Sequence, residues 1–278
     1  MKIKKIIKGT VGGLCSTFLA VSVYAADLPV DLELALGVDV SGSIDEEEAR
    51  LQRDGYIKAF RHPRVWEAVR HGRRGRIAVV YYEWAGFGHN KTVAKWALID
   101  SRESALAFAK QLTKEEPETA SRTAIASAID FGAGYFDNNG FKGTRRVIDI
   151  SGDGPNNWGE LVTKARDRAV VQGITINGLP IMNGRPSPWG LSSLKNLDLY
   201  YRHCVIGGKS AFIVAAKNFN DFARAVLRKL VLEIADNTPS ERHAGPVQLA
   251  QIGSGVIKKR VPPPCNIGEQ NWLDRDDY

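Results

Sequence analysis

The chain is predicted to be an α/β protein, a doubly wound, mostly parallel sheet with helices on both faces. Two observations support this. Apolar strands alternate with amphipathic helical stretches along most of its 278 residues, and that order gives a parallel sheet covered on both sides. The stretch Leu32 to Ser43, LELALGVDVSGS, also joins a buried strand to a loop rich in oxygen-bearing side chains. The carboxyl end of such a strand is where open α/β sheets place ligands.

In that strand Leu32, Leu34, Leu36 and Val38 fall on one face and Glu33, Ala35 and Gly37 on the other, as expected for a central strand. The acidic run Asp45 to Glu48 suits a helical first turn, so a helix is expected from Asp45 to Phe60. Pro63 opens a short helix to Val69. Arg76 to Trp84 is β-branched and aromatic enough for a second strand, and Thr92 to Leu98 pairs with it as an antiparallel edge. Ser101 caps a helix reaching Leu112. A polar loop around Pro117 follows, and Ile125, Ala128, Ile129 and Phe136 then keep helical spacing. The alternation repeats with a strand Arg145 to Ile150, a helix Glu160 to Gln172, a strand Ile174 to Ile181, a loop Met182 to Gly190 and a short strand Ala211 to Ala215. The final helix is the clearest, with Phe219, Phe222, Ala223, Val226, Leu227, Leu230, Val231 and Ile234 on one stripe. From residue 236 to 278 the chain turns polar and proline-bearing, which reads as an extended tail.

Composition is ordinary for a globular protein, at 44% hydrophobic and 25% charged. The formal charge of +7 suggests nucleic acid until the first residues are read. Lys2, Lys4, Lys5 and Lys8 precede an apolar run ending in Val23-Tyr24-Ala25, the pattern of a secretory signal peptide cleaved near Ala25. Its removal leaves +7 − 4 = +3. No basic stripe interleaved with aromatics remains to support nucleic-acid binding. The expected product is a periplasmic or secreted protein with no stable membrane anchor, one domain over 26–235 and the tail beyond. Cys15 leaves with the signal peptide, so Cys204 and Cys265 remain as an even pair in an oxidising compartment. One disulfide between them is expected, tying the tail to the core.

Three separated pieces fall at strand ends: Asp39, Ser41 and Ser43; Thr123 at the start of a helix; and Asp153 in ISGDG. All are oxygen donors, which suits Mg²⁺ first, Mn²⁺ or Ca²⁺ next, and not zinc. Each piece has an ordinary reading too. Ser43 with Glu46, or Asp45 with Glu48, fits a helix cap, as does Thr123. Taken together, Asp39-x-Ser41-x-Ser43, Thr123 in TAIASAI and Asp153 in SGDG resemble the metal-ion-dependent adhesion site of von Willebrand factor A domains. That resemblance spans roughly Leu32 to Ala235. It implies a Rossmann-like doubly wound fold and a Mg²⁺ held partly through waters by the aspartates and directly by the hydroxyls. It also implies recognition of a partner's carboxylate without catalysis. VVYYEW, SGDGPNNWG and VIGG resemble a secreted bacterial branch of unknown function. The family form has a small hydroxyl residue just before the second aspartate, whereas this chain has Gly152, with Ser151 one step back.

A rival lies in the third piece, where Asp149, Ser151, Asp153, Gly154, Asn157 and Glu160 match the spacing of an EF-hand calcium loop. A strand precedes them where an EF-hand needs a helix. Asp149 itself is expected to be buried, with a hydrogen-bonding role behind the site. Enzyme readings lack a base and an orienting group: the five histidines form no helical pair or motif, and neither phosphate-binding glycine fingerprint is present. Trp84, Trp158 and Trp189 are candidates for a contact surface around the site. The expected function is thus an exported, non-enzymatic module that captures an acidic protein partner through Mg²⁺. The alternatives are a structural module whose site is vestigial and a calcium-stabilised protein using Asp149 to Glu160.

Overall fold

The computed structural model describes residues 26–86, 88–184, 193–235 and 260–276, with side chains to residue 271. The signal-peptide reading, Trp189 and most of the tail lie outside the described residues. Five strands, β1 (Leu28–Asp39), β2 (Ile77–Trp84), β3 (Asn90–Ile99), β4 (Phe141–Gly152) and β5 (Thr175–Pro180), form one sheet in the order β3-β2-β1-β4-β5. All neighbours are parallel except β3, which runs antiparallel to β2. This is the expected doubly wound sheet with an antiparallel edge.

The alternation in β1 sorts the core into two layers. Leu32, Leu34, Leu36 and Val38 pack with α1 (Glu46–Arg61), α2 (Pro63–Arg70), α3 (Arg102–Gln111) and α7 (Phe219–Ile234), through Tyr56, Phe60, Val65, Phe108, Phe222 and Leu230. Ala35 faces the other layer, built on α4 (Ile125–Gly134) and α5 (Val162–Val171). The small side of β1 is required there. A Cβ on Gly37 would sit 2.5 Å from Tyr82 Oη, and that hydroxyl donates to Ala128 O in α4 at 2.8 Å. The phenol therefore crosses the strand's glycine to reach the helix.

Two expectations need correction, and one element was unforeseen. Ala211 to Ala215 does not form a continuous strand; it runs beside β5 through the isolated bridges Gly178↔Ile213 and Ile181↔Ala216. The tail is not extended throughout, since Ile267–Asp276 forms α8. A helical segment was also missed. Leu197–Tyr200 (α6) continues into a π-helical turn, Tyr201–Val205. Its buried residues Leu197, Tyr200, Tyr201, Cys204 and Val205 keep i, i+3, i+4, i+7, i+8 spacing, the periodicity that would have revealed it. The expected disulfide is present between Cys204 and Cys265, with Cα atoms 5.4 Å apart.

Candidate metal centre

The carboxyl ends of β1 and β4 lie side by side in the middle of the sheet, and the loops leaving them carry the donor residues. Asp39 ends β1. Its Oδ1 accepts from the Ser41 amide at 2.7 Å, which turns the loop back over the strand. Asp45 then caps α1 by accepting from the Glu48 amide, and Glu48 Oε2 accepts in return from the Asp45 amide. The capping box thus uses Asp45 and leaves Ser43 free for another role. Ser43 Oγ donates to Asp153 Oδ1 at 2.6 Å.

Thr123 is not a cap either. The first residue before α4 is Ala124, with no side-chain cap, and Asn156 Oδ1 instead accepts from the Ala126 amide at 3.0 Å. Asn157 holds Thr123 from both sides: its Oδ1 accepts from the Thr123 amide and its own amide donates to Thr123 O, each at 2.8 Å. Thr123 Oγ1 then donates to Ser41 Oγ at 3.2 Å, and Ser41 Oγ lies 3.2 Å from Ser43 Oγ. All five sequence-predicted side chains therefore meet in one connected cluster, with Asp39 joined through the Ser41 amide.

The electrostatics of this cluster favour a cation. Asp39, Ser41, Thr123 and Asp153 are buried. Asp39 Oδ2 has no hydrogen-bond partner, an unsatisfied lone pair in a buried place where an unpaired charge is costly. Among the described residues neither aspartate has an ion-pair partner. Burial first, then the charge of Asp153, raises the Asp39 carboxyl well above the usual carboxylate range. Burial, helped by the charge of nearby Glu48, pushes Asp153 up to about 6 against the hydrogen bond from Ser43. Two carboxylates and three hydroxyls in one pocket without a countercharge form a donor set suited to a hard divalent ion. Among the described residues no group of three or more His, Cys, Asp and Glu side chains could hold a metal, so any site here depends on the hydroxyls.

Sequence reasoning missed Tyr201. A Cβ on Gly152 would lie 2.7 Å from Asp39 Oδ2 and 2.8 Å from Tyr201 Oη. The tyrosine hydroxyl therefore occupies the place a side chain at 152 would take, which accounts for the departure from the hydroxyl-aspartate pattern. Tyr201 Oη is buried without a partner, and burial followed by the charges of Asp39 and Asp153 raises its pKa well above the ordinary value.

The EF-hand reading is overturned. Asp149 lies inside β4, buried, and pairs with Lys229 of α7 at 2.5 Å, while Glu160 pairs with Arg168 on the surface. Between them the chain is extended strand and then caps α4, so the six residues never surround one point. Asp149 is buried, as expected, but its partner is Lys229 of α7 and not one of the candidate donor residues. Of the tryptophans, Trp84 is fully buried and pairs in register with Asp39. Trp158 is 39% exposed, with the Arg122 guanidinium 5.2 Å from its ring centroid. Arg122 precedes Thr123 and has a positive φ of 69°, so this pair forms part of the rim.

The fold is von Willebrand factor A-like, a five-stranded, mostly parallel sheet with helices on both faces. The chain belongs to the family described as protein of unknown function DUF1194, whose model matches residues 29–238. Among solved structures it is similar to the pilus adhesin SpaC from Lactobacillus rhamnosus GG, at TM-score 0.54 and 14% identity, over 77% of this chain and 31% of that one. It is also similar to proximal thread matrix protein 1 of the mussel byssus, at TM-score 0.51 and 16% identity, over 76% and 49%. A second structure of the mussel protein, at TM-score 0.48 and 17% identity, over 76% and 49%, is described with a zinc-occupied MIDAS motif. A von Willebrand factor type A protein from Catenulispora acidiphila matches at TM-score 0.47 and 14% identity, over 74% and 43%. The chain spans about half the length of the mussel protein and about a third of the adhesin. No curated protein matches. Among the described residues no helix is long and apolar enough to cross a membrane.

Proposed function

We propose that this is an exported, non-catalytic binding module that holds Mg²⁺ through Asp39, Ser41, Ser43, Thr123 and Asp153 and uses an open coordination position to capture a carboxylate of a protein partner. The observation that carries the reading is the unpartnered, buried Asp39 Oδ2 beside a connected chain of oxygen donors, Thr123–Ser41–Ser43–Asp153. Asp39 and Asp153 balance the ion's charge. The hydroxyls are neutral, so the cation stays electrophilic toward an outside carboxylate. Oxygen donors alone rank Mg²⁺ and Mn²⁺ ahead of zinc. The Cys204–Cys265 disulfide suits a periplasmic or secreted chain.

The test is thermal melting of the purified protein with chelator, Mg²⁺, Mn²⁺ and Ca²⁺ in turn, for wild type, Asp39→Ala and Glu160→Ala. Mg²⁺ at a hundredfold excess over its Kd should stabilise the wild type by roughly 2.7 kcal/mol and leave Asp39→Ala unmoved. Glu160→Ala should respond like wild type. No metal response in the wild type would leave a structural module of the same fold. Where Mg²⁺ does stabilise the wild type, capture of a partner in a pull-down from exported proteins should be lost both with chelator and with Asp39→Ala.

A further inference from the structure

A second buried cluster lies between β4 and α7 and shares no residue with the candidate metal centre. Lys229 Nζ is 2.5 Å from Asp149 Oδ2 and 2.7 Å from Glu233 Oε1, with side-chain exposures of 0%, 1% and 0%. Asn177 on β5 fixes the acid: its Nδ2 donates to the same Glu233 oxygen at 2.8 Å, and its Oδ1 accepts from the Phe212 amide at 2.9 Å. The Phe212 ring centroid is 5.3 Å from the lysine nitrogen. Tyr56, Phe222 and Leu230 belong to the same apolar layer.

An ordinary ion pair accounts poorly for this arrangement. Lysine is almost never fully buried, and desolvating charges costs several kcal/mol each. Two carboxylates against one ammonium also leave one negative charge uncompensated. Asp149 Oδ1 and Glu233 Oε2 have no hydrogen-bond partner. Burial pushes Asp149 up to about 7 despite the lysine beside it, so the neutral acid is within reach near physiological pH.

We propose that Lys229 and Asp149 condense into an intramolecular isopeptide bond, with Glu233 as the proton carrier. The ammonium of Lys229 passes one proton through Glu233 to the Asp149 carboxylate, giving a neutral amine and a neutral acid. The amine lone pair attacks Asp149 Cγ and forms the C–N bond. Glu233 then takes a second proton from the nitrogen and delivers it to the departing hydroxyl, breaking the C–O bond. One ammonium and one carboxylate thus become one amide and one water, with no change of oxidation state. Proximity supplies the effective concentration, and Glu233 supplies general acid and base in turn. The product is neutral, so the desolvation penalty of the ion pair disappears. The bond joins the centre of the sheet to the last helix of the domain.

The test is peptide mapping of the purified full chain after reduction, alkylation and denaturation. Trypsin should leave the segment Val147 to Lys164 joined through Asp149 to a segment uncut after Lys229, and the joined species should weigh one water less than its two parts. Glu233→Gln, which keeps the shape but cannot carry protons, should give the two peptides separate and at full mass. Separate full-mass peptides from the wild type, with cleavage after Lys229, would overturn the proposal. A joined species persisting undiminished in Glu233→Gln would overturn the assigned role of Glu233.

Discussion

A carboxylate with one oxygen bonded to the Ser41 amide and the other facing no donor is costly to bury at the end of a central strand. Asp39→Asn should therefore reverse the usual sign of a core mutation. Without metal the variant should be more stable than wild type by about 1–3 kcal/mol, because a buried uncompensated charge is removed, and it should show no response to Mg²⁺. Melting both proteins with chelator and with Mg²⁺ checks both halves; a destabilised variant that still responds would argue against the site. The pH dependence follows from the same groups. Burial raises Asp39 and brings Asp153 to about 6, so the metal-free native state holds protons that the unfolded chain has already released. By linkage, its stability falls as pH rises from the ordinary aspartate range through about 6. Mg²⁺ must displace those protons. The stabilisation it brings should therefore grow as pH rises through about 6, where Asp153 releases its proton, and fade below it, read as the difference between melts with and without metal.

Each element places its donor by a local device, and those devices explain which parts could be read from the chain. The alternation of β1 was legible because both its faces are buried, one by leucines and the other by small residues that make room for Tyr82. The donor loops were legible because they follow strand ends, although spacing alone could not decide between Ser43 and Asp45 as the cap of α1. The EF-hand spacing misled for a physical reason. Extended chain rises about 3.3 Å per residue, so Asp149 lies about four such steps from Asp153 and cannot bend round the same ion. α8 was not legible because its docking rests on a disulfide and on contacts with Asn156, and not on an apolar stripe. Tyr201 was missed because the helical spacing around it went unread. Its closeness to Gly152 makes a prediction: Gly152→Ala introduces a methyl 2.7 Å from Asp39 Oδ2. The variant should lose about 1–3 kcal/mol of stability and bind Mg²⁺ at least tenfold more weakly. Calorimetric titration showing unchanged affinity would mean that this carboxylate oxygen does not face the ion.

At the scale of the whole molecule, the segment beyond the family match packs against the loop that carries part of the proposed metal centre. Cys265 is bonded to Cys204 on the π-helical turn that begins at Tyr201, and the hydroxyl of Tyr200 donates to Cys265 O at 3.4 Å. Gly268 of α8 lies so close to Asn156 that a Cβ there would sit 1.9 Å from its carbonyl oxygen. Glu269 accepts from Asn156 Nδ2 at 2.7 Å, and Tyr200 Oη accepts from the Asn156 amide at 3.1 Å. Asn156 is fully buried and is followed by Asn157, which clamps Thr123. Releasing the C-terminal segment therefore loosens the loop between Asp153 and Asn157, and with it two of the five donors. The chain-entropy estimate gives such a crosslink roughly 4 kcal/mol of stability, and part of that supports the site. Reduction, or Cys265→Ser, should lower the melting temperature and weaken Mg²⁺ binding several-fold. Because coupling between two sites is reciprocal, Mg²⁺ should make the disulfide harder to reduce by the same factor at equilibrium. The measurement is a Mg²⁺ titration of oxidised and reduced protein, paired with thiol release in a graded redox buffer with and without the ion. Equal Mg²⁺ affinity in the two redox states would show that the C-terminal helix only covers the domain and does not hold the site in shape.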